Sequence, residues 1–180
     1  MKRRVALKHI MMAAAAVAVL PSCVFEKKKV SVQLKQLQIT ADQEEDLAEI
    51  VDTMIPATDI PGAKAVGSHI FVLKMIDDCY DKKVQDSFMK GLDRINQIAN
   101  KKFGSSFVKC SPQERTEVLT SLDKKETPSL TEDVDFFPLL KQLTIQGFLT
   151  SQYIMQDVQG FQLIPGHFYG CVDVQKNKLS

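Results

Sequence analysis

The chain has 180 residues, 44% hydrophobic and 25% charged, the balance of one folded domain with a targeting segment, which excludes a disordered chain. The formal net charge of +1 is split: Lys2, Arg3, Arg4 and Lys8 fall in the first 22 residues, and the other 19 bases face 22 acids. That mildly acidic body is not a nucleic-acid binder by charge, and with Trp absent and aromatics at 7% a carbohydrate- or base-stacking surface is disfavoured.

Residues 1–22 read as a signal peptide. Lys2, Arg3 and Arg4 form a positive start, and 10–20 is an Ala-rich apolar run, shorter than the roughly 20 residues a spanning helix needs. Leu20-Pro21-Ser22-Cys23 then fits a lipoprotein cleavage box with Cys23 as the acylated residue, although Pro21 departs from the commonest form. Arg3 and Arg4, followed by Leu7 and Lys8, resemble a twin-arginine export signal; an ordinary Sec start with two arginines fits the same residues. Acylation at Cys23 would hold the protein on a membrane surface without a spanning helix in the mature chain. Residues 23–39 are then a lipid-anchored tether, read as a solvated linker, with Lys27, Lys28 and Lys29 available to anionic head groups.

The domain spans 40–180. Thr40 with Gln43 makes a capping box, Asp42, Glu44 and Glu45 suit a helix start, and Leu47, Ile50, Val51 and Met54 share one face. Pro56 ends that helix, and 56–67 is a loop. A second helix, from Lys64 or Ser68 to Tyr80, is apolar around much of its circumference, which predicts a central position. A third runs from Lys82 to Lys102 with Val84, Phe88, Leu92, Ile95 and Ile98 in one stripe and Gly104 as its stop. Ser111-Pro112-Gln113-Glu114 starts a fourth, followed by Val118, Leu119 and Leu122. Residues 124–133 are a polar loop, and a fifth helix covers about 135–153 with Phe136, Phe137, Leu140, Leu143, Ile145 and Phe148. From Gln156 the pattern loses its period and Gly160, Pro165, Gly166 and Gly170 break the chain into turns. The fold class is all-α, a bundle-like single domain of about five helices with an irregular C-terminal tail.

The chemistry-bearing residues are sparse. With Cys23 acylated, Cys79, Cys110 and Cys171 allow one disulfide and one odd thiol. Cys79–Cys171 is the preferred bridge because it would staple the tail to a central helix, leaving Cys110 free or bonded to a partner. No clustered Cys or His spacing suggests zinc, haem or iron–sulfur, and no nucleophile elbow, dinucleotide fingerprint or phosphate loop is present. His69 and His167 stand far apart and read as structural. The pairs Asp77-Asp78 and Asp133/Asp135 read as solvated helix ends. No catalytic, cofactor-binding or metal-binding residue is assigned.

Three segments carry a resemblance. Asp52-Thr53-Met54-Ile55-Pro56-Ala57-Thr58-Asp59-Ile60-Pro61-Gly62-Ala63, the stretch from Phe137 to Ser151, and Pro165-Gly166-His167-Phe168-Tyr169-Gly170-Cys171 follow in this order behind the arginine-pair signal. Together, from about Thr40 to Cys171, they resemble the gluconate 2-dehydrogenase subunit 3 family. The resemblance implies a small, non-catalytic helical subunit that escorts, stabilises and anchors a periplasmic flavin-dependent sugar or sugar-acid dehydrogenase. FAD and the catalytic groups would lie in a large subunit of the glucose–methanol–choline type, and a cytochrome c would often take the electrons. It favours the twin-arginine route, which carries folded passengers. Partner-interface candidates are Pro56, Thr58, Asp59, Pro61 and Gly62, whose two prolines would stiffen the loop, together with Phe148 and Tyr169. The alternative is a free-standing periplasmic lipoprotein that acts as a binding module.

Overall fold

The computed structural model describes residues 30–123, 136–164 and 166. The signal peptide with Arg3 and Arg4, Cys23, the 124–133 loop, Asp133, Asp135, His167, Tyr169 and Cys171 lie outside the described residues.

Among the described residues the protein is all helical, as its patterning predicts. Helix α1 spans Ala41–Met54, α2 Ser68–Cys79, α3 Lys82–Phe103, α4 Pro112–Asp123 and α5 Phe136–Leu149, with a 3-10 turn at Phe107–Lys109 and a π-helical turn at Tyr153–Val158.

The helix boundaries follow from local chemistry. The Thr40 backbone N–H donates to Gln43 Oε1 at 3.0 Å, and the Gln43 N–H donates to Thr40 Oγ1 at 3.2 Å, the reciprocal capping box. Asp81 caps α3 by accepting from the Val84 N–H at 2.9 Å, and Gly104 closes it in the left-handed conformation at φ 70°. Ser111 and Glu114 repeat the box at α4: the Ser111 N–H donates to Glu114 at 2.7 Å. Helix α5 ends earlier than its apolar pattern suggests. The Ser151 hydroxyl donates to the Phe148 carbonyl at 2.7 Å and accepts from the Ile154 N–H at 3.4 Å, so a side chain replaces helix bonds and the chain turns into the π-helical segment.

The core is one cluster. Leu47, Ile50 and Val51 of α1 meet Val72, Leu73 and Ile76 of α2, Phe88, Leu92 and Ile95 of α3, Val118 of α4 and Leu140 and Leu143 of α5. Helix α2 packs on α1, α3 and α5, the central position expected for it, and its contact with α5 is the most extensive in the domain. That approach is close because Gly147 has no side chain: a Cβ there would lie 2.8 Å from Phe71 Cδ1. Phe148 is buried at 9% exposure in this cluster, which removes it from the interface candidates. A large apolar side chain on a helix reads alike whether its cover is its own fold or a partner.

The largest departure from the expected layout lies before α1. Residues 30–39 are not a solvated linker. Leu37 is buried, and Val32, Leu34 and Ile39 pack against the core. Two carboxylates hold this strap. Glu44 accepts from the Ser31 N–H at 2.8 Å and from the Ser31 hydroxyl. Asp77, only 2% exposed rather than a solvated helix end, accepts from the backbone N–H groups of Lys35 (2.6 Å), Gln36 (2.8 Å) and Leu37 (2.6 Å). Successive amides of this kind form a nest for an anion. They offset the disfavoured placement of a carboxylate in the last turn of a helix that has no base there. Buried Gln85 closes the same end by donating to the carbonyls of Ile76, Asp77 and Tyr80.

Burial alone would raise the Asp77 carboxyl, but the amides of Lys35, Leu37 and Gln36 and the Lys35 charge outweigh it and hold it below its ordinary 3.8. A depressed folded value means the strap is fully held above the ordinary value and released as pH falls through the lower one. Amide exchange at 35–37, corrected for its intrinsic pH dependence, should therefore lose protection in acid below about pH 4. Asp77→Asn should abolish that dependence and cost about 2–3 kcal/mol in denaturant unfolding.

Candidate interaction face

The loop after α1 is built from its first residue by exclusion. Ile55 leaves helical geometry at φ −132° and ψ 83°, and Pro56 cannot donate to continue the helix. The chain then returns to its starting point: the Ala63 N–H donates to the Ile55 carbonyl at 2.9 Å, the Thr58 N–H to Ile60 at 3.0 Å, and the Ser68 N–H to Ala63 at 2.9 Å. Gly62 makes this closure possible. A Cβ at that position would stand 2.7 Å from the Ala57 nitrogen, 2.9 Å from Asp52 Oδ1 and 3.0 Å from the Ile55 carbonyl oxygen. Gly62 is accordingly buried, Pro61 is half-buried, and Pro56, Ala57, Thr58 and Asp59 face solvent.

The base of the loop is anchored through side chains. Lys64 Nζ and Arg115 Nη1 both donate to the Glu49 carboxylate, one oxygen each. Arg115 also donates through Nε to the carbonyls of Phe107 (3.2 Å) and Cys110 (3.1 Å) and through Nη2 to Val108, while its guanidinium lies 5.8 Å from the Phe107 ring centre. One arginine thus ties the 3-10 turn and α4 to α1. The Lys64 hydrogen bond, followed by that of Arg115, lowers the Glu49 carboxyl below its ordinary value against the opposing effect of burial. Sequence patterning missed this set because Glu49 and Arg115 are separated by 66 positions and each, on its own helix, reads as a surface charge.

Beside the loop, the end of α1 meets α4 and α5 around a groove of about 260 Å³. Met54, Ile55, Leu119, Phe137, Thr144 and Ile145 line it, and Lys141 pairs with Asp123 at 3.1 Å on its wall. Ile145 and Leu149, one turn apart on α5, remain 44% and 48% exposed.

The other candidate residues are scattered. His69 is half-buried, burial lowers its imidazole below the ordinary value, and its Nδ1 has no hydrogen-bond partner among the described residues. Cys79 is exposed at the end of α2, while Cys110 is buried with its thiol 3.5 Å from the Ser105 hydroxyl. The proposed mate of Cys79, Cys171, is outside the described residues. Among those residues no group of three His, Cys, Asp or Glu side chains could hold a metal ion, and no helix is long and apolar enough to cross a membrane.

Fold and face together define a small helical domain that presents a closed, proline-stiffened loop and an apolar groove that no described residue covers. The chain belongs to the gluconate 2-dehydrogenase subunit 3 family, whose family model matches residues 41–166. The family is that of one subunit, so the setting is a multi-subunit complex. The match takes in the closed loop and the groove-lining residues of all three helices. No curated protein and no solved structure matches the chain.

Because two of the atoms facing Gly62 are backbone, a methyl group there cannot be accommodated by rotating a side chain. Gly62→Ala should cost about 1–3 kcal/mol in unfolding experiments and shift the backbone amide resonances of 55–63, while those of the strap at 35–37 stay in place.

Proposed function

We propose that this protein is a non-catalytic small subunit that escorts, stabilises and anchors an FAD-dependent sugar or sugar-acid dehydrogenase of the glucose–methanol–choline type. The observation that carries the reading is membership of a subunit family in a domain whose uncovered features are a preformed loop and an apolar groove. FAD and the reacting groups belong to the large subunit, and a cytochrome c is the further partner that would accept electrons. The chain itself holds the complex on the periplasmic side of a membrane through lipid on Cys23. Arg3 and Arg4 direct export by the twin-arginine route, with the folded large subunit as passenger.

The strap bears on the anchoring role. Seven steps of chain separate Cys23 from residue 30, which reach at most about 25 Å when fully extended. The clamp at Glu44 and Asp77 therefore keeps a lipid-anchored domain close to the membrane rather than on a 17-residue leash. The alternative, a free-standing binding module, is weaker. This groove does not support it: at about 260 Å³ it is smaller than the roughly 300–1,000 Å³ of ordinary ligand sites, and it is open.

Full-length protein purified from its native host in mild detergent should carry a flavoprotein, visible as flavin absorbance in the eluate. Cys23→Ser should move that flavin from the membrane fraction to the soluble fraction. A colourless, solitary lipoprotein would sink the proposal, and flavin that stays on the membrane in Cys23→Ser would remove the anchoring role alone.

A further inference from the structure

The large subunit needs a place to bind, and we infer that it docks at the end of α1, setting an apolar side chain in the groove between α1, α4 and α5 and a neighbouring Lys or Arg against Asp52 and Asp59. The inference rests on the subunit reading above and specifies the site.

Three independent features converge there. First, the apolar surface is continuous, and no described residue covers it. Met54 and Ile55 lead from the helix end into the groove, and Ile145 lines it on the far side. Leu149 extends the exposed surface by one turn along α5. Ile145 and Leu149 together extend the groove into one exposed apolar patch, the kind of surface that marks an interaction site.

Second, two carboxylates at and just beyond the end of α1 have no partner among the described residues. Asp52 is half-buried with Oδ1 turned towards Gly62, and Asp59 is exposed on the closed loop. Neither carboxylate hydrogen-bonds to or pairs with another described residue. The last turn of α1 has no base, so the negative end of the helix dipole adds to theirs. By contrast, the carboxylates elsewhere on α1 that approach other elements are engaged: Glu44 by Ser31, Asp46 by Asn96 at 2.5 Å, and Glu49 by Lys64 and Arg115. A cation from outside the chain fits this end, and an apolar side chain beside it fits the groove.

Third, the face is already rigid. Gly62 lets the loop close and Glu49 ties down its return, so little conformational freedom would be lost on docking. The exposed residues 56–59 follow directly in the chain on Ile55, which lines the groove.

The test uses the full-length chain in its native host. A photo-crosslinking residue at Ile145 should couple to the flavoprotein, at a peptide with an apolar residue within a few positions of a Lys or Arg. The same group at exposed Lys90 on α3 should not. Ile145→Glu combined with Leu149→Glu should lower co-purified flavin at least ~10-fold, and Asp59→Lys should lower it by several-fold in low salt. Both variants change exposed residues, so their circular dichroism and melting temperatures should match wild type. If both retain wild-type flavin, the groove is not the docking site although the subunit reading stands. If wild type itself carries no flavin, the inference falls with that reading.

Discussion

A carboxylate with almost no contact with solvent must find donors, and Asp77 finds three consecutive backbone amides. The layout of the N-terminal half follows from that requirement. A chain segment has to cross the end of α2 at the height of Asp77, and Leu37 then drops into the core beside it. With residues 35–37 fixed, the chain arrives at Thr40 in the extended conformation that an N-cap needs, and α1 starts there. Glu44 fixes the other end of the strap from the first turn of the same helix. The cost of burying two acids is offset by bonds to backbone and hydroxyl groups rather than to bases, so these contacts are specific in position and lightly screened by salt.

The second constraint is at the opposite end of α1, where Glu49 receives Lys64 and Arg115. Arg115 spreads its donors over the carbonyls of Phe107, Val108 and Cys110, and at Phe107 it adds to the Cys110 N–H that the carbonyl already accepts at 3.2 Å within the 3-10 turn. Asn96 serves the same turn from α3: its Oδ1 accepts from the Phe107 N–H at 2.9 Å, and its amide donates to Asp46. Polar side chains at half-buried positions therefore hold the one irregular stretch between α3 and α4, and Phe107 is completely buried as a result. The domain is built as a helical core with its irregular segments pinned by single polar groups from neighbouring helices.

The helices were legible in the sequence because their signals are local. Capping boxes at Thr40 and Ser111, Gly104 as a stop and the stripe through Phe88, Leu92 and Ile95 each need fewer than ten adjacent residues to be read. Lost were the features that depend on distance in the chain. Asp77 and Leu37 are 40 positions apart, and an Asp-Asp pair at a helix end looks solvated until a segment is laid across it. The fate of Ser151 was hidden for another reason: the same hydroxyl can point to solvent or turn back on the helix, and only packing decides. The interface candidates divided on the same principle. Pro56, Thr58 and Asp59 were readable as an exposed stiff loop because proline acts on its own backbone. Phe148 was readable as either core or partner anchor, since its burial depends on which way α5 faces.

The two ends of α1 have opposite electrostatic states, and that contrast bears on the two roles proposed for this small domain. At its start every inward-facing charge is satisfied within the chain, which suits the end that receives the strap and so the connection to the N-terminus. At its finish the backbone is closed, yet among the described residues two carboxylates have no partner and an apolar groove has no cover. Rigidity without cover has a physical consequence: the surface keeps its shape in water instead of collapsing on its exposed apolar side chains, because Gly62 and Glu49 fix the backbone from beneath. Docking at such a surface loses little entropy and gains the burial of Ile145 and Leu149, whereas a flexible loop carrying the same residues would first have to be ordered. The structural glycine and the two ion pairs of Glu49 under the loop thus act on the proposed partner through the shape they maintain, although none of them needs to touch it.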